Sequence, residues 1–321
     1  MEARHEPVLM KEVLKALDLQ PADTVVDATL GGAGHFIKIL AALGEGGVLI
    51  GIDADSAAVE RGREAYALDR RPERPVAHLV NDNFRNLARI LERLGIGQVN
   101  KILFDLGWSG YQLTAPRGFS FSAKGGPASG GQIDEPLLMT YGEENETAAN
   151  IVNSSSEENL ANIIFTYGEE RFARSIARAI VVARAKKRIL TTGALVAAIC
   201  AGTPHWYQQG KIHPATKTFQ ALRIAVNDEL GALREGLAAA LSALAPGGCL
   251  AVISFHSIED RIVKNMLRDA AHTGLGAVTK KPIVPSRTEI LSNHRARSAK
   301  LRIFERIAAP SHAGRTMLSY A

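Results

Sequence analysis

Apolar positions in the first hundred residues alternate between two spacings. A helical period covers residues 11 to 17. The β-branched run TVVDATL follows, ending on Asp27 and meeting Gly31, Gly32 and Gly34. The same rhythm then repeats three times. A helix over residues 35 to 43 leads to the strand GVLIGID, closing on Asp53. A helix over 56 to 68 leads to VAHLV and the turn NDNFRNL. A helix over 86 to 94 leads to KILFDLG, closing on Asp105. Strands separated by helices of this length predict a parallel, doubly wound α/β sheet.

The rhythm breaks after Gly107. Residues 108 to 134 are rich in Gly, Ser and Pro, and residues 148 to 202 carry only helical periodicity, with a basic stretch from Arg171 to Arg188. Beyond Pro214 one long amphipathic helix is expected over residues 218 to 245, stopped by Pro246-Gly247-Gly248. The strand CLAVISF follows, then a helix opened by a capping box of Ser257 and Asp260, and a last strand over 298 to 307. The expected organisation is an α/β domain in two segments, 1–113 and 213–309, with an all-helical insertion at 114–212 and a tail at 310–321.

Composition changes this picture little. The 321 residues are 46% hydrophobic and 22% charged, which excludes a wholly disordered or fibrous chain. Cys200 and Cys249 each sit in an apolar run and offer neither a disulfide framework nor a ligand spacing, and the nine histidines form no metal cluster. No secretory h-region and no stretch near the ~20 residues that span a bilayer are found, so a cytoplasmic protein without membrane contact is expected. Charge is more telling. Net charge is +5, and from Arg261 onward 12 Lys/Arg stand against 3 Asp/Glu, while the rest is mildly acidic. That asymmetry suggests a polyanionic partner, most economically nucleic acid, with a solvated surface as the bland alternative. Arg295, Arg297, Lys300 and Arg302, near Asn293, are the candidate phosphate contacts.

The strongest chemical signal is the turn from Asp27 to His35. Its glycines let backbone approach a ligand, and the helix start favours an anionic group. A dinucleotide fingerprint would need a third glycine at Ile37, which disfavours a nicotinamide oxidoreductase. Asp53, 22 residues after Gly31, is placed to accept hydrogen bonds from ribose hydroxyls, although Asp55 competes as a helix cap. Asp105 and the Asn81–Phe84 turn end further strands, and Phe84 could flank an adenine ring or lie in the core. Together they indicate a nucleoside-containing cofactor.

Longer blocks narrow the reading. HEPVLMKEVL, DATLGGAGH, GIDAD, NFRNL, DLGWSGYQL, RGFSF, YGEERFARSIARAI, HPATKTFQALRIAVNDEL, PGGCLAVISFHSIEDRIVK and NHRARSAKLR occur in order over residues 5 to 302. The chain thereby resembles the RsmH (MraW) family of bacterial 16S rRNA cytosine-N4 methyltransferases. The resemblance implies a class I S-adenosylmethionine-dependent methyltransferase fold, Rossmann-like and doubly wound, with an inserted helical domain for substrate recognition. It implies S-adenosylmethionine as cofactor, held by Ala33, Gly34, His35, Asp53, Phe84, Asp105 and Gln112. It also implies 16S rRNA in the 30S subunit as partner, with a homodimer left open. Trp108 or Tyr111 could stack on the target base, or pack beneath the insertion. Several positions depart from the family pattern: Phe36 replaces a serine, Leu138 and Gly142 replace aspartates, and Gly107-Trp108-Ser109-Gly110 replaces G-V-S-S. Since these lie mostly beside the substrate, the alternative is a ribosome-binding assembly factor that keeps the fold but methylates weakly.

Overall fold

The β-branched runs become strands of one sheet in the computed structural model, which describes residues 7–107, 117–119, 134–141 and 146–308. They are β1 (Thr24–Asp27), β2 (Val48–Asp53), β3 (Val76–Asn81), β4 (Val99–Asp105), β5 (Leu244–Ser254), β6 (Gly276–Val278) and β7 (Lys300–Arg306). Their order across the sheet is β3-β2-β1-β4-β5-β7-β6. The first five pair in parallel, and β7 runs antiparallel to both β5 and β6. This is the Rossmann-like class I arrangement expected from the sequence.

The chain divides into two units, one formed by Met1–Gly107 with Leu233–Ala321 and the other by Trp108–Ala232. In the first, successive residues of each strand feed opposite faces of the sheet. Val25 joins Leu49 and Leu103 in a layer closed by Val13 and Leu17 of α1 (Met10–Leu17) and Phe36 and Ile39 of α2 (Gly34–Ala42). Val26 joins Ile50 and Phe104 in the opposite layer, closed by Leu87 and Ile90 of α4 (Leu87–Arg93) and by Val263 and Leu267. On the first of these faces, α3 (Ser56–Leu68) also buries Ala58 and Val59. Each large apolar side chain of these layers contributes about 1.5–3 kcal/mol by burial.

The second unit comprises α5 (Ala148–Ser154), α6 (Glu157–Gly168), α7 (Ala173–Lys186), α8 (Thr192–Ala201), α9 (His205–Gln208) and α10 (Thr216–Asn227). Thr147, Ser156 and Thr191 cap α5, α6 and α8 by accepting hydrogen bonds from backbone amides three residues on. Its own core includes Leu160, Ile164, Ile176, Ile180 and Leu195. Phe219 and Leu222 also lie in it, so α10 packs with the helical unit, whereas the sequence pattern placed the boundary ahead of this helix at 212/213.

Three local expectations are corrected. The single helix over 218 to 245 is two, α10 and α11 (Glu229–Ala243), because Asp228 adopts a left-handed conformation with φ 44°. Asn and Asp tolerate that region better than most residues and are weak helix formers, so the apolar period continues in phase across a real break. The helix α12 (Ser257–His272) is capped by His256 rather than Ser257. His256 Nδ1 accepts the Glu259 amide at 3.3 Å, and the Glu259 carboxylate returns to the His256 amide. The strand β6 was not expected, its three residues being too short to show a period. Among the described residues no helix is long and apolar enough to cross a membrane.

Candidate functional site

β1 lies between β2 and β4, and the chain builds outward from it first to β2 and β3, then across to β4. That reversal opens a crevice at the carboxyl ends of β1 and β4, where open α/β sheets bind their ligands. Asp27 ends β1, Asp105 ends β4 and Asp53 ends β2. The strand-end acids found in the sequence therefore converge on one edge.

Between them runs the glycine turn. Gly31 (φ 49°) and Ala33 (φ 60°) are both left-handed, and α2 starts immediately afterwards at Gly34. A side chain at Gly34 would place its Cβ 2.2 Å from Pro7 Cγ, so only glycine fits beneath the N-terminal segment. That segment is itself tied down: the Leu9 amide donates to Glu289 Oε1 at 2.7 Å, linking it to α13 (Arg287–Ser292). The turn is held from the other side by Asp53, whose Oδ2 accepts the Gly31 amide at 2.8 Å and whose Oδ1 accepts the Asp55 amide at 2.9 Å. Each carboxylate oxygen still has a second acceptor direction. Asp55 caps α3 by accepting the Ala57 amide, so Asp53 and Asp55 divide the two roles that the sequence left competing.

His35, in the first turn of α2, is 5% exposed, and its Nδ1 lies 3.4 Å from Asp105 Oδ2. Asp27 is fully buried, with Oδ1 accepting the Thr29 amide at 3.3 Å. The Thr29 hydroxyl in turn accepts the Asp105 amide at 2.6 Å, so one threonine locks the ends of both strands. Among the described residues, three buried polar atoms at this crevice have no hydrogen-bond partner: Asp27 Oδ2, His35 Nε2 and Asp105 Oδ1. Leaving such atoms without partners is costly, and their clustering at the crevice marks a place built for a polar ligand.

The electrostatics follow from the burial. Desolvation pushes the Asp27 carboxyl up to about 7 against the pull of His35 and the Thr29 amide, with Asp105 and Asp53 adding to the rise. For His35 burial acts downward, but the hydrogen bond and charge of Asp105, then the charge of Asp27, outweigh it and leave the imidazole above its ordinary value. Desolvation likewise raises Asp53 to about 6, against the hydrogen bonds from Asp55 and Gly31.

Ala33, Gly34, His35, Asp53 and Asp105 are thus brought to one turn and its flanking strand ends. Phe84 packs edge-on against Phe104 with ring centroids 5.4 Å apart, at the head of a short 3-10 turn capped by Asn83. Its ring also lies where a Cβ on Gly236 would reach, 2.7 Å from Cδ2. Gln112, Trp108 and Tyr111 lie outside the described residues. Sequence reasoning missed the bridging role of Thr29, although a threonine two residues after a strand-end aspartate is a local turn signal. It also missed Asp82, which accepts from Asn83 and Asn86 and pairs with Arg89, fixing the turn after β3.

The candidate phosphate contacts separate. Arg302 is 5% exposed and its Nε lies 2.7 Å from Asp260 Oδ1, while Lys300 Nζ lies 3.0 Å from Asp260 Oδ2. Arg302 is therefore an internal partner rather than a phosphate ligand. Arg295 and Arg297 remain on the surface, in a 3-10 segment whose Asn293 cap accepts the Arg295 amide.

Known proteins share this chain's sequence over nearly its whole length. The sequence model of the MraW methylase family matches residues 2–307. A ribosomal RNA small subunit methyltransferase H of Deinococcus radiodurans is 49% identical over 307 residues, covering 95% of this chain and 91% of that one. Its namesake in Geobacter sulfurreducens is 46% identical over 325 residues, covering 96% and 100%, and that of Brevibacillus brevis is 42% identical, covering 94% and 98%.

Proposed function

This chain belongs to the MraW methylase family, and from that premise we propose that it transfers a methyl group from S-adenosylmethionine to the N4 amine of a cytosine in the decoding region of 16S rRNA. The observation that carries the reading is the crevice between β1 and β4, with three unpaired buried polar atoms beside a glycine turn and a ribose-type acid. These residues fit the cofactor. Asp53 would take the ribose hydroxyls, Ala33 and Gly34 the close backbone approach, and His35 and Asp105 the charged amino-acid end. Phe84 would flank the adenine, and Gln112 completes the set by family resemblance.

When bound, S-adenosylmethionine supplies an electrophilic methyl group on a sulfonium centre. What the chain must add is orientation. The cytosine N4 lone pair is delocalised into the ring, so acceptors must align the amine and receive its hydrogen bonds. Asp105, or a carbonyl of the Leu106-Gly107 turn, would do this from the end of β4. The Leu106 amide is fixed by the Ile253 carbonyl at 3.0 Å, which keeps that turn in register with the site. Extrusion of the base from its stack into such a pocket is the usual course for base-modifying enzymes.

The helical unit serves as the substrate-recognition domain, the substrate is encountered as rRNA within the 30S subunit, and the setting is the cytoplasm. Transfer of labelled methyl groups from S-adenosylmethionine to 30S subunits lacking the modification tests the whole reading. Incorporation mapping to a decoding-region cytosine supports it, and an intact N4-methylcytosine in cells without this protein or a second enzyme refutes it.

A further inference from the structure

In the helical unit, Trp206 is 60% exposed although it lies within the short helix α9 and touches three other side chains. Its ring centroid is 5.9 Å from that of Phe172 and 6.0 Å from that of Tyr207, both edge-on, and those two lie 4.9 Å apart. The Arg171 guanidinium sits 4.8 Å from the Trp206 centroid, 4.9 Å from Phe172 and 5.3 Å from Tyr207. One cation thus covers three rings. The cluster is braced from inside by Glu170, which has no exposed surface. Its Oε2 accepts the Tyr207 hydroxyl at 2.5 Å and its Oε1 accepts the Phe172 amide at 2.9 Å.

Packing accounts for Phe172 and Tyr207, which are partly buried, but not for an indole with most of its surface in water. The charge of this stretch of chain says what such a surface would meet. From Glu169 to Lys217 it carries nine Lys/Arg and two Asp/Glu, with Arg178 paired to Glu157. One of those acids, Glu170, is spent inside the cluster. Arg171, Arg174 and Lys211 are exposed. A protein partner would also favour Trp and Arg, but the one-sided charge favours a polyanion with flat, unstacked faces, which describes single-stranded RNA.

We propose that Trp206, held by Arg171 and Glu170, is a stacking platform for an unpaired base of the substrate RNA, separate from the base that is methylated. This rests on the reading of the protein as an rRNA methyltransferase. Braced rings accept a base without being ordered at the moment of binding, and the guanidinium adds a second planar, cationic surface. The platform contributes affinity and positioning, and no part of the methyl transfer passes through it.

The test uses the full chain with 30S subunits and with 16S rRNA from cells lacking the enzyme. Trp206→Ala should raise KM for RNA on the order of tenfold, with kcat and S-adenosylmethionine affinity unchanged. Trp206→Phe should recover most of the loss, and Arg171→Lys should retain charge but lose part of the affinity. Ultraviolet crosslinking followed by mass spectrometry should find a nucleotide adduct on Trp206. Unchanged KM in Trp206→Ala, with cofactor binding intact, overturns the platform while leaving the enzymatic reading in place. A crosslink to a ribosomal protein instead of a nucleotide also overturns it. Should the parent protein methylate neither substrate, the enzymatic reading fails and the crosslink alone decides: a nucleotide adduct supports the platform, and its absence removes it.

Discussion

His35 Nδ1 lies 3.4 Å from Asp105 Oδ2, joining the first turn of α2 to the end of β4 through a pair that is ionic only while the imidazole keeps its proton. The geometry links backbone architecture to protonation at the point where the cofactor is expected. Remove the carboxylate charge, and burial is left as the main influence on the imidazole.

The Asp105→Asn variant should therefore show a His35 pKa below that of the parent, measured by NMR titration of the ring protons. S-adenosylmethionine affinity should fall about tenfold, the size of a lost charge-assisted hydrogen bond. An unchanged His35 titration would mean that the pair does not govern its protonation.

Asp27 predicts a pH dependence of stability. Its carboxyl titrates near 7 in the folded protein against 3.8 ordinarily, so between about pH 4 and 7 the folded state binds more protons than the unfolded chain. Stability from this group must decline as pH rises through that window. His35 acts in the same sense, since its raised pKa gives stability that is complete below 6.5 and lost above the folded value. Each tenfold difference in proton affinity between the two states is worth ~1.4 kcal/mol, so Asp27→Asn should gain up to about 4 kcal/mol above pH 7 and almost nothing below pH 4. Urea unfolding of both proteins across this range measures it, and parallel curves would count against the buried charge.

Asp53→Ala should weaken S-adenosylmethionine binding by about 1–3 kcal/mol, and it also releases the Gly31 amide at the turn. Calorimetry on the folded variant is the measurement. Unchanged affinity would remove Asp53 from the ribose contact.

Asp260→Ala should cost about 3–5 kcal/mol, because Arg302 would be left buried without its counter-charge. Burial acts to raise the Asp260 pKa, but Arg302 and Lys300 outweigh it and leave it lowered. The pair thus stabilises above the ordinary carboxylate range, and that contribution fades as pH falls through the folded value. Denaturant midpoints of variant and parent should differ fully at pH 7 and draw together as pH falls below the ordinary carboxylate range.

The strand-end acids were legible because each closes an apolar run, and a sheet edge is where such a run must stop. Arg302 was legible in part: two residues before Phe304 in a strand, it shares that residue's buried face, and positive charge alone directed attention outward. Asp228 was hidden by leucines and alanines that keep helical phase on both sides of it. His256 was passed over because serine is the commoner cap, although the three-residue spacing to Glu259 was there to be seen. The state of Asp27 could not be read at all, since desolvation is a property of what folds around a carboxylate rather than of its neighbours in sequence. The Arg171–Trp206 cluster escaped for a related reason, its members being separated by the whole of α7 and α8.

A sheet assembled from both ends of a chain has a timetable. β4 emerges from the ribosome with its outer edge unpaired, and its partner β5 is made only after the entire helical unit has been synthesised. During that interval the nascent chain exposes a row of unsatisfied backbone groups flanked by Ile102, Leu103 and Phe104, the kind of edge that recruits other strands. The helical unit, by contrast, is continuous in sequence and can complete its core as soon as it is released. Growth in the cell thus lets β1 to β4 and then the helical unit form first, with the β4 edge the last part of the parallel sheet to be covered.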